Sequence, residues 1–239
     1  MGGADAARAY DAWYELPLGS AAHRIETQMI TQAAGPRAGE RALDVGCGTG
    51  IYTRWLTDLG LVVTGIDRDP VMLAAARRKV PSAEFQHADA HRLPFADAAF
   101  DLVLAVTVMC FVERPMRPGV VRELARVTRP GGRVVIGELS PYSLWALGRR
   151  VSAWRGSPMW RAAHFTSGRE LRRLMRDAGT TPTAVRHGLY LPPVQHSALT
   201  TRAVSIERAC RWLGPVGAAF VVVRGDLPAA GTSNRGVDT

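Results

Sequence analysis

The stretch LDVGCGTG, residues 43–50, sets three glycines at alternate positions directly after a short apolar run. A strand that runs into glycines and then a helix brings backbone N–H groups and a positive helix end against an anionic or polar ligand. A dinucleotide, a mononucleotide phosphate and S-adenosylmethionine all fit that description. The phosphate-loop pattern GxxxxGK[ST] is absent, because Ile51 and Tyr52 stand where its Gly-Lys would be. The dinucleotide pattern GxGxxG is missing its third glycine, since Gly46-Cys47-Gly48-Thr49-Gly50 is followed by Ile51. The turn therefore leans away from a nicotinamide cofactor without excluding one. Asp67, 17 residues beyond Gly50, ends an apolar run where a carboxylate can accept from two ribose hydroxyls. Asp89 and Ala90 end the next run, where a side-chain acceptor and a backbone amide could read an adenine edge. A single aspartate at a strand end is more often a helix cap; the set of three features is what signals an adenosine ligand.

The elements that must hold these residues alternate along the chain. RALDVG (41–46), LVVTGID (61–67), AEFQHAD (83–89), DLVLAVT (101–107) and GRVVIGEL (132–139) read as strands. IYTRWLTDLG, PVMLAAARRKV and PGVVRELARVTRPGG between them carry apolar residues at helical spacing. Alternation of this kind predicts βαβ units and a mostly parallel sheet. Asp69 is the expected cap ahead of Pro70, and Arg129-Pro130-Gly131-Gly132 reads as a turn into the fifth strand. Ser167 and Glu170 have capping-box spacing for a helix that ends near Gly179. PTAVRHGLY (182–190) reads as a sixth strand, 198–213 as one helix and GAAFVVVRG (217–225) as a last strand. Residues 5–16 and 20–34 read as two amphipathic helices ahead of the first strand.

The chain of 239 residues, 47% hydrophobic, suits one domain over 1–225. Its expected parts are an N-terminal helical cap (1–36), a cofactor-binding core (37–139), a cap insertion (140–166) carrying Trp145, Trp154 and Trp160, and the rest of the sheet (167–225). The polar tail 226–239 is expected to be disordered. No apolar run approaches the roughly 20 residues that span a bilayer, and the start lacks the pattern of a secretory leader, so a cytoplasmic protein is expected. Cys47, Cys110 and Cys210 are too few and too far apart for a disulfide framework or a structural zinc site, and no metal is expected. The net charge of +9 invites a polyanion, but the arginines are spread in pairs rather than runs, which favours a solvated basic face.

LDVGCGTG, the GID ending in Asp67, HADAHRLPF (87–95), FDLVLAVTVMCFV (100–112) and LARVTRPGGRVVIGE (124–138) resemble the successive motifs of class I S-adenosylmethionine-dependent methyltransferases. The likeness is strongest to the bacterial small-molecule group that includes the ubiquinone/menaquinone methyltransferases. It implies an α/β, Rossmann-like, seven-stranded sheet, mostly parallel with the last strand antiparallel. Helices cover both faces, and the N-terminal helices with the 139–166 insertion form a cap. It further implies that Asp44 and the turn Gly46, Cys47, Gly48, Thr49 and Gly50 hold the methionine part of the cofactor. Asp67 would take the ribose diol, Arg68 and Met72 the adenine face, and Asp89 with Ala90 its edge. Val106 and Thr107 would line the sulfonium, and Tyr10 resembles an N-terminal tyrosine that closes over the methionine end.

Methyl transfer is an in-line displacement at a carbon already activated, so alignment and exclusion of water are the main demands. A phenol or hydroxyl acceptor usually also wants a general base. His23, His164 and His196 fall in segments expected to cap the open sheet edge and are the candidate bases; His87, His91 and His187 read as structural or cofactor-loop residues. Trp13, Met109, Cys110, Phe111, Trp145 and Tyr190 suggest a small, largely apolar or aromatic acceptor. Glu138, at the end of the fifth strand, could bind a cationic group or pair with an arginine. The alternatives are an RNA or other nucleic-acid methyltransferase and a non-catalytic cofactor-binding or interaction module. The first is disfavoured because TVMCFVERP stands where base-amine methyltransferases carry [DNS]PP[YFW], and the second because the cofactor motifs are intact.

Overall fold

Strand residues alternate between two apolar layers: Leu102, Leu104 and Val106 pack in one, Val103 and Ala105 in the other, the period of two that a strand imposes. The computed structural model describes residues 3–229. Its strands are β1 (Arg41–Val45), β2 (Val62–Asp67), β3 (Glu84–His87), β4 (Phe100–Val106), β5 (Thr128–Leu139), β6 (Thr181–Gly188) and β7 (Phe220–Asp226). They form one sheet in the order β3-β2-β1-β4-β5-β7-β6. β1 to β5 pair in parallel, and β7 runs antiparallel to β5 and β6. The strand order reverses between β1 and β4, so the carboxyl ends of β1, β2 and β4 meet at the crevice where open α/β sheets bind ligands.

Ten α-helices surround the sheet among the described residues: α1 (Gly3–Glu15), α2 (Pro17–Ala34), α3 (Ile51–Asp58), α4 (Pro70–Lys79), α5 (Arg117–Val127), α6 (Leu144–Trp154), α7 (Pro158–Ala162), α8 (Gly168–Asp177), α9 (Ser197–Thr201) and α10 (Ala203–Cys210). Ile25, Met29 and Ile30 of α2 with Leu56 of α3 fill one layer. Val120, Val121 and Leu124 of α5 with Leu171, Leu174 and Met175 of α8 fill the other. Asp69 caps α4 as its spacing predicts, accepting from the N–H groups of Val71 and Met72. Ser167 caps α8 by accepting the Glu170 N–H. No described helix is long and apolar enough to cross a membrane.

Three local readings change. The helix expected over 198–213 breaks at Arg202, which stands between α9 and α10 at φ −93°, ψ 9°. RPGG at 129–132 is a bulge within β5 rather than a turn before it: pairing passes from Phe100↔Thr128 to Leu102↔Arg133. The last strand runs one residue further than expected, to Asp226, which pairs with Arg133 and Thr181; of the expected tail, residues 230–239 lie outside the described residues.

The segment 140–165 leaves the sheet at Leu139 and returns at Thr166, whose N–H donates to the Leu139 carbonyl at 3.2 Å. Arg117, fully buried, fastens it: Nη2 donates to His164 O at 3.0 Å, Nη1 to Glu170 at 2.8 Å and Nε to Val112 O at 3.1 Å. Glu170 thus gives its carboxylate to this ion pair. A methionine at 117 fills similar volume but leaves two carbonyls and a half-buried carboxylate without a donor. Arg117→Met is expected to cost about 3 kcal/mol of stability, read as a shift in the denaturant midpoint; a change below about 1 kcal/mol would contradict this role.

Candidate functional site

At the crevice, β1 runs into the glycine turn with three residues in the left-handed region, Gly46 at φ 69°, Gly48 at φ 53° and Gly50 at φ 82°. A Cβ on Gly46 would stand 2.6 Å from Val108 Cγ2, whereas the space beside Gly48 is open. The first glycine lets the turn pass under the loop after β4, and the second leaves backbone bare toward the cleft. Asp67, at the end of β2, accepts the Gly48 N–H on one oxygen and the Asp69 N–H on the other, each at 2.8 Å. Its carboxylate is therefore aligned before any ligand arrives.

These residues line a cleft of 290 Å³ together with Tyr10, Arg68, Met72, Asp89, Ala90 and Thr107. Asp89 accepts both the backbone N–H and Nδ1 of His91, at 2.9 and 2.5 Å. The His91 N–H is the main reason that its carboxyl lies below the usual carboxylate range. His87 Nε2 meets Arg68 O at 2.9 Å, which steadies the adjoining loop. Thr107 sits at φ 54°, uncommon for a β-branched residue and a local strain of a kind found at ligand sites. Its N–H donates to Gly137 O at 2.8 Å. Phe111 stands exposed on the opposite wall.

Several expected cofactor contacts lie behind the wall rather than in it. Asp44 is buried, accepts the Thr53 hydroxyl at 2.6 Å, and burial pushes its carboxyl up to about 7. Cys47 and Val106 are also buried, and burial raises the Cys47 thiol. Gly50 is the N-cap of α3 at φ 82°. Thr49 turns away, its hydroxyl donating to Asp11 at 2.5 Å. Lys79 joins the pair, 2.6 Å from Asp11 and 3.1 Å from Thr49. This latch seats α1, and with it Tyr10, against α4 and the glycine turn. No sequence motif marks Asp11 or Lys79, which are 68 positions apart.

Beneath α1, α2 and α6 lies a second group of polar residues. The Tyr52 hydroxyl donates to Glu26 at 2.6 Å, and burial lifts that carboxyl to about 7, with Tyr52 and the Arg149 charge opposing. The His23 ring stands edge-on to Tyr14 and Tyr52 with centroids 5.4 and 5.3 Å away. Burial lowers its pKa, and its Nδ1 has no hydrogen-bond partner. Glu138 is wholly buried: Oε1 accepts the Met109 N–H at 2.6 Å, Oε2 has no partner, and burial raises it to about 7 against Met109 and Arg117. Met109 and Cys110 are buried beside it, the Cys110 thiol meeting Thr107 O at 3.3 Å. Trp13 and Trp145 meet edge-on at 6.4 Å, and Trp145 Nε1 donates to Leu191 O at 2.7 Å.

The remaining candidates stand apart. Tyr190 bonds to Gly214 O through its hydroxyl and braces the chain ahead of β7. His164 is exposed and lines a different cleft with Arg150 and Trp160. His196 is exposed at the N-cap of α9. His23 borders a third cleft with Asp11 and Lys79. The glycine-turn cleft thus has no histidine base in its wall; His91 is held by Asp89.

Residues 43–136 match the methyltransferase domain family. A demethylmenaquinone methyltransferase of Beutenbergia cavernae is 41% identical over 138 residues, covering 57% of this chain and 55% of the relative. An uncharacterised protein of Mycobacterium tuberculosis is 37% identical over 197 residues, covering 80% of this chain and 64% of that one. The chain thus spans between about half and two thirds of the length of these relatives. A solved Thermotoga maritima structure, described as an S-adenosylmethionine-dependent methyltransferase and possible histamine N-methyltransferase, superposes with a TM-score of 0.66. It is 25% identical, with 92% of this chain and 95% of that one covered.

Asp67→Ala removes the carboxylate aimed along the turn and should weaken S-adenosylhomocysteine about 100-fold by calorimetry, with a lowered melting temperature because the Gly48 and Asp69 N–H groups lose their acceptor; unchanged affinity would contradict this geometry. Glu26, Asp44 and Glu138 bind their protons more tightly folded than unfolded. Their contribution to stability is complete below about pH 4.5 and is lost as pH rises through about 7. The melting temperature should therefore fall between pH 5 and pH 8, less steeply in Glu138→Gln; an equal slope in the two proteins would contradict it. In strand order, and over residues 43–136 in sequence, the chain is similar to S-adenosylmethionine-dependent methyltransferases.

Proposed function

We propose that this chain transfers a methyl group from S-adenosyl-L-methionine to a small, largely apolar or aromatic acceptor. The observation that carries the reading is the pairing of the aligned Asp67 carboxylate and bare glycine turn with an enclosed group of aromatic and titratable side chains under α1, α2 and α6. The residues fit the cofactor: Asp67 has lone pairs left for a ribose diol, the space beside Gly48 admits a ligand against backbone, and Arg68, Met72, Asp89 and Ala90 surround the place for a base. The cofactor supplies a methyl carbon activated by its sulfonium. Thr107 would line the sulfonium end, with Val106 behind it, and Tyr10 would close the methionine end as the Asp11–Lys79–Thr49 latch holds α1 down. The half-buried rings of Trp13 and Tyr14 and the buried ring of Trp145 exclude water and align the acceptor. The Beutenbergia relative's demethylmenaquinone activity supports an aromatic acceptor.

Among the three candidate bases, His23 suits the task best. Burial keeps its ring neutral and Nδ1 is bare, so it can take the proton of a phenol or enol as the oxygen or carbon attacks. His164 and His196 stand exposed, whereas His23 is half-buried at the cleft it shares with Asp11, the residue that Thr49 ties to the glycine turn. Methyl-labelled cofactor should label low-molecular-mass phenols or enols and leave bulk RNA unlabelled. Label in RNA, or in no small acceptor while S-adenosylhomocysteine binds, would overturn the proposal. His23→Ala is expected to slow turnover about 100-fold without changing S-adenosylhomocysteine affinity; full activity would remove the base from the mechanism.

A further inference from the structure

Helix α6 is two-faced. Trp145 and Ala146 turn inward, whereas Leu144, Leu147 and Trp154 face outward and are exposed. Arg149 follows the inner face, four residues after Trp145. Its guanidinium carbon lies 5.2 Å from the centre of the Trp145 ring and 4.9 Å from that of Trp160. Among the described residues no hydrogen bond and no ion pair ends on it, and Nη1 is shut off from solvent with no partner. Two indole faces attract a cation, but they offer no in-plane acceptor for a fork of five N–H donors.

A buried cation is ordinarily paired. The carboxyl whose charge Arg149 senses most, Glu26, already takes the Tyr52 hydroxyl and forms no contact within ion-pair distance of the guanidinium. His23 is kept neutral by burial, and Glu138 senses Arg117. Arg149 therefore keeps a half-buried guanidinium, one nitrogen of which is shut off from solvent, without an ion-pair partner. A guanidinium that is stacked, desolvated and short of acceptors matches a planar carboxylate in both charge and shape.

We propose that Arg149 is the anion-binding residue for the acceptor, and that the acceptor is an apolar or aromatic carboxylate whose two oxygens take the guanidinium fork held between Trp145 and Trp160. This rests on the proposed methyl transfer and names its substrate class. Arg149 acts by recognition, so its loss bears on acceptor affinity and leaves cofactor affinity alone.

The protein saturated with S-adenosylhomocysteine is titrated with benzoate and with its uncharged isostere benzamide, followed by calorimetry and by the fluorescence of the tryptophans beside Arg149. Benzoate is expected to bind at least tenfold more tightly than benzamide, roughly one charge-assisted hydrogen bond. Arg149→Met should abolish the preference and Arg149→Lys keep part of it, with S-adenosylhomocysteine affinity unchanged in both. That last measurement shows that each variant is folded. Equal affinity for the two probes, no detectable binding of either, or a preference that survives Arg149→Met would overturn the proposal. Failure of the wild-type protein to bind S-adenosylhomocysteine would instead sink the methyl-transfer reading on which it stands.

Discussion

The carboxylate of Asp67 is the joint on which the site depends. One oxygen holds the glycine turn after β1 and the other holds the start of the loop into α4, so two neighbouring strand ends are tied by a single side chain. Gly46 allows that closeness, because any Cβ there would run into Val108 of the loop after β4. Three strand ends are thus locked together by one carboxylate and one missing methyl group. The outer latch of Asp11, Lys79 and Thr49 then sets α1 against this assembly. A polar ligand entering the cleft meets groups already oriented, which lowers the ordering cost of binding.

Much of this was legible in the sequence because it is local. The period-2 runs gave each strand within a few residues, and the spacing of Asp69 to Pro70 and of Ser167 to Glu170 placed two helix starts correctly. Asp67, Asp89 and the glycines could be read as one site because a parallel sheet brings successive strand ends to one edge. What failed was also physical. The 198–213 run is interrupted at Arg202, a change of backbone angle that apolar periodicity does not register. RPGG carries turn chemistry but is absorbed as a bulge by pairing with β4. The Asp11–Lys79 latch, the Arg117 clamp and the bare Arg149 fork depend on groups tens of residues apart, for which no spacing rule exists. Asp44 is conspicuous in the motif yet faces inward to Thr53, a direction that residue type cannot reveal.

The positive balance of the chain takes on a different meaning inside the fold. Arg117 and Arg133 are buried, and Arg133 spends its fork on Glu40 and on the carbonyls of Ala34 and Gly35 at the end of α2. Part of the arginine excess therefore fastens helices to the sheet rather than coating the surface, and a reading of the +9 charge as a polyanion footprint overstates what solvent sees. Arginine suits this use because its fork reaches several carbonyls at once from one position.

The hydrogen bond between the Thr166 N–H and the Leu139 carbonyl has a consequence for descent. It makes the segment that carries α6 and α7 a loop with adjoining ends, which a lineage can lengthen, shorten or exchange without disturbing the register of β5. The turn after β1 is bound by glycine and aspartate geometry and tolerates few side chains. The segment between Leu139 and Thr166 is free to be rewritten, so one sheet and one glycine turn can carry different covers.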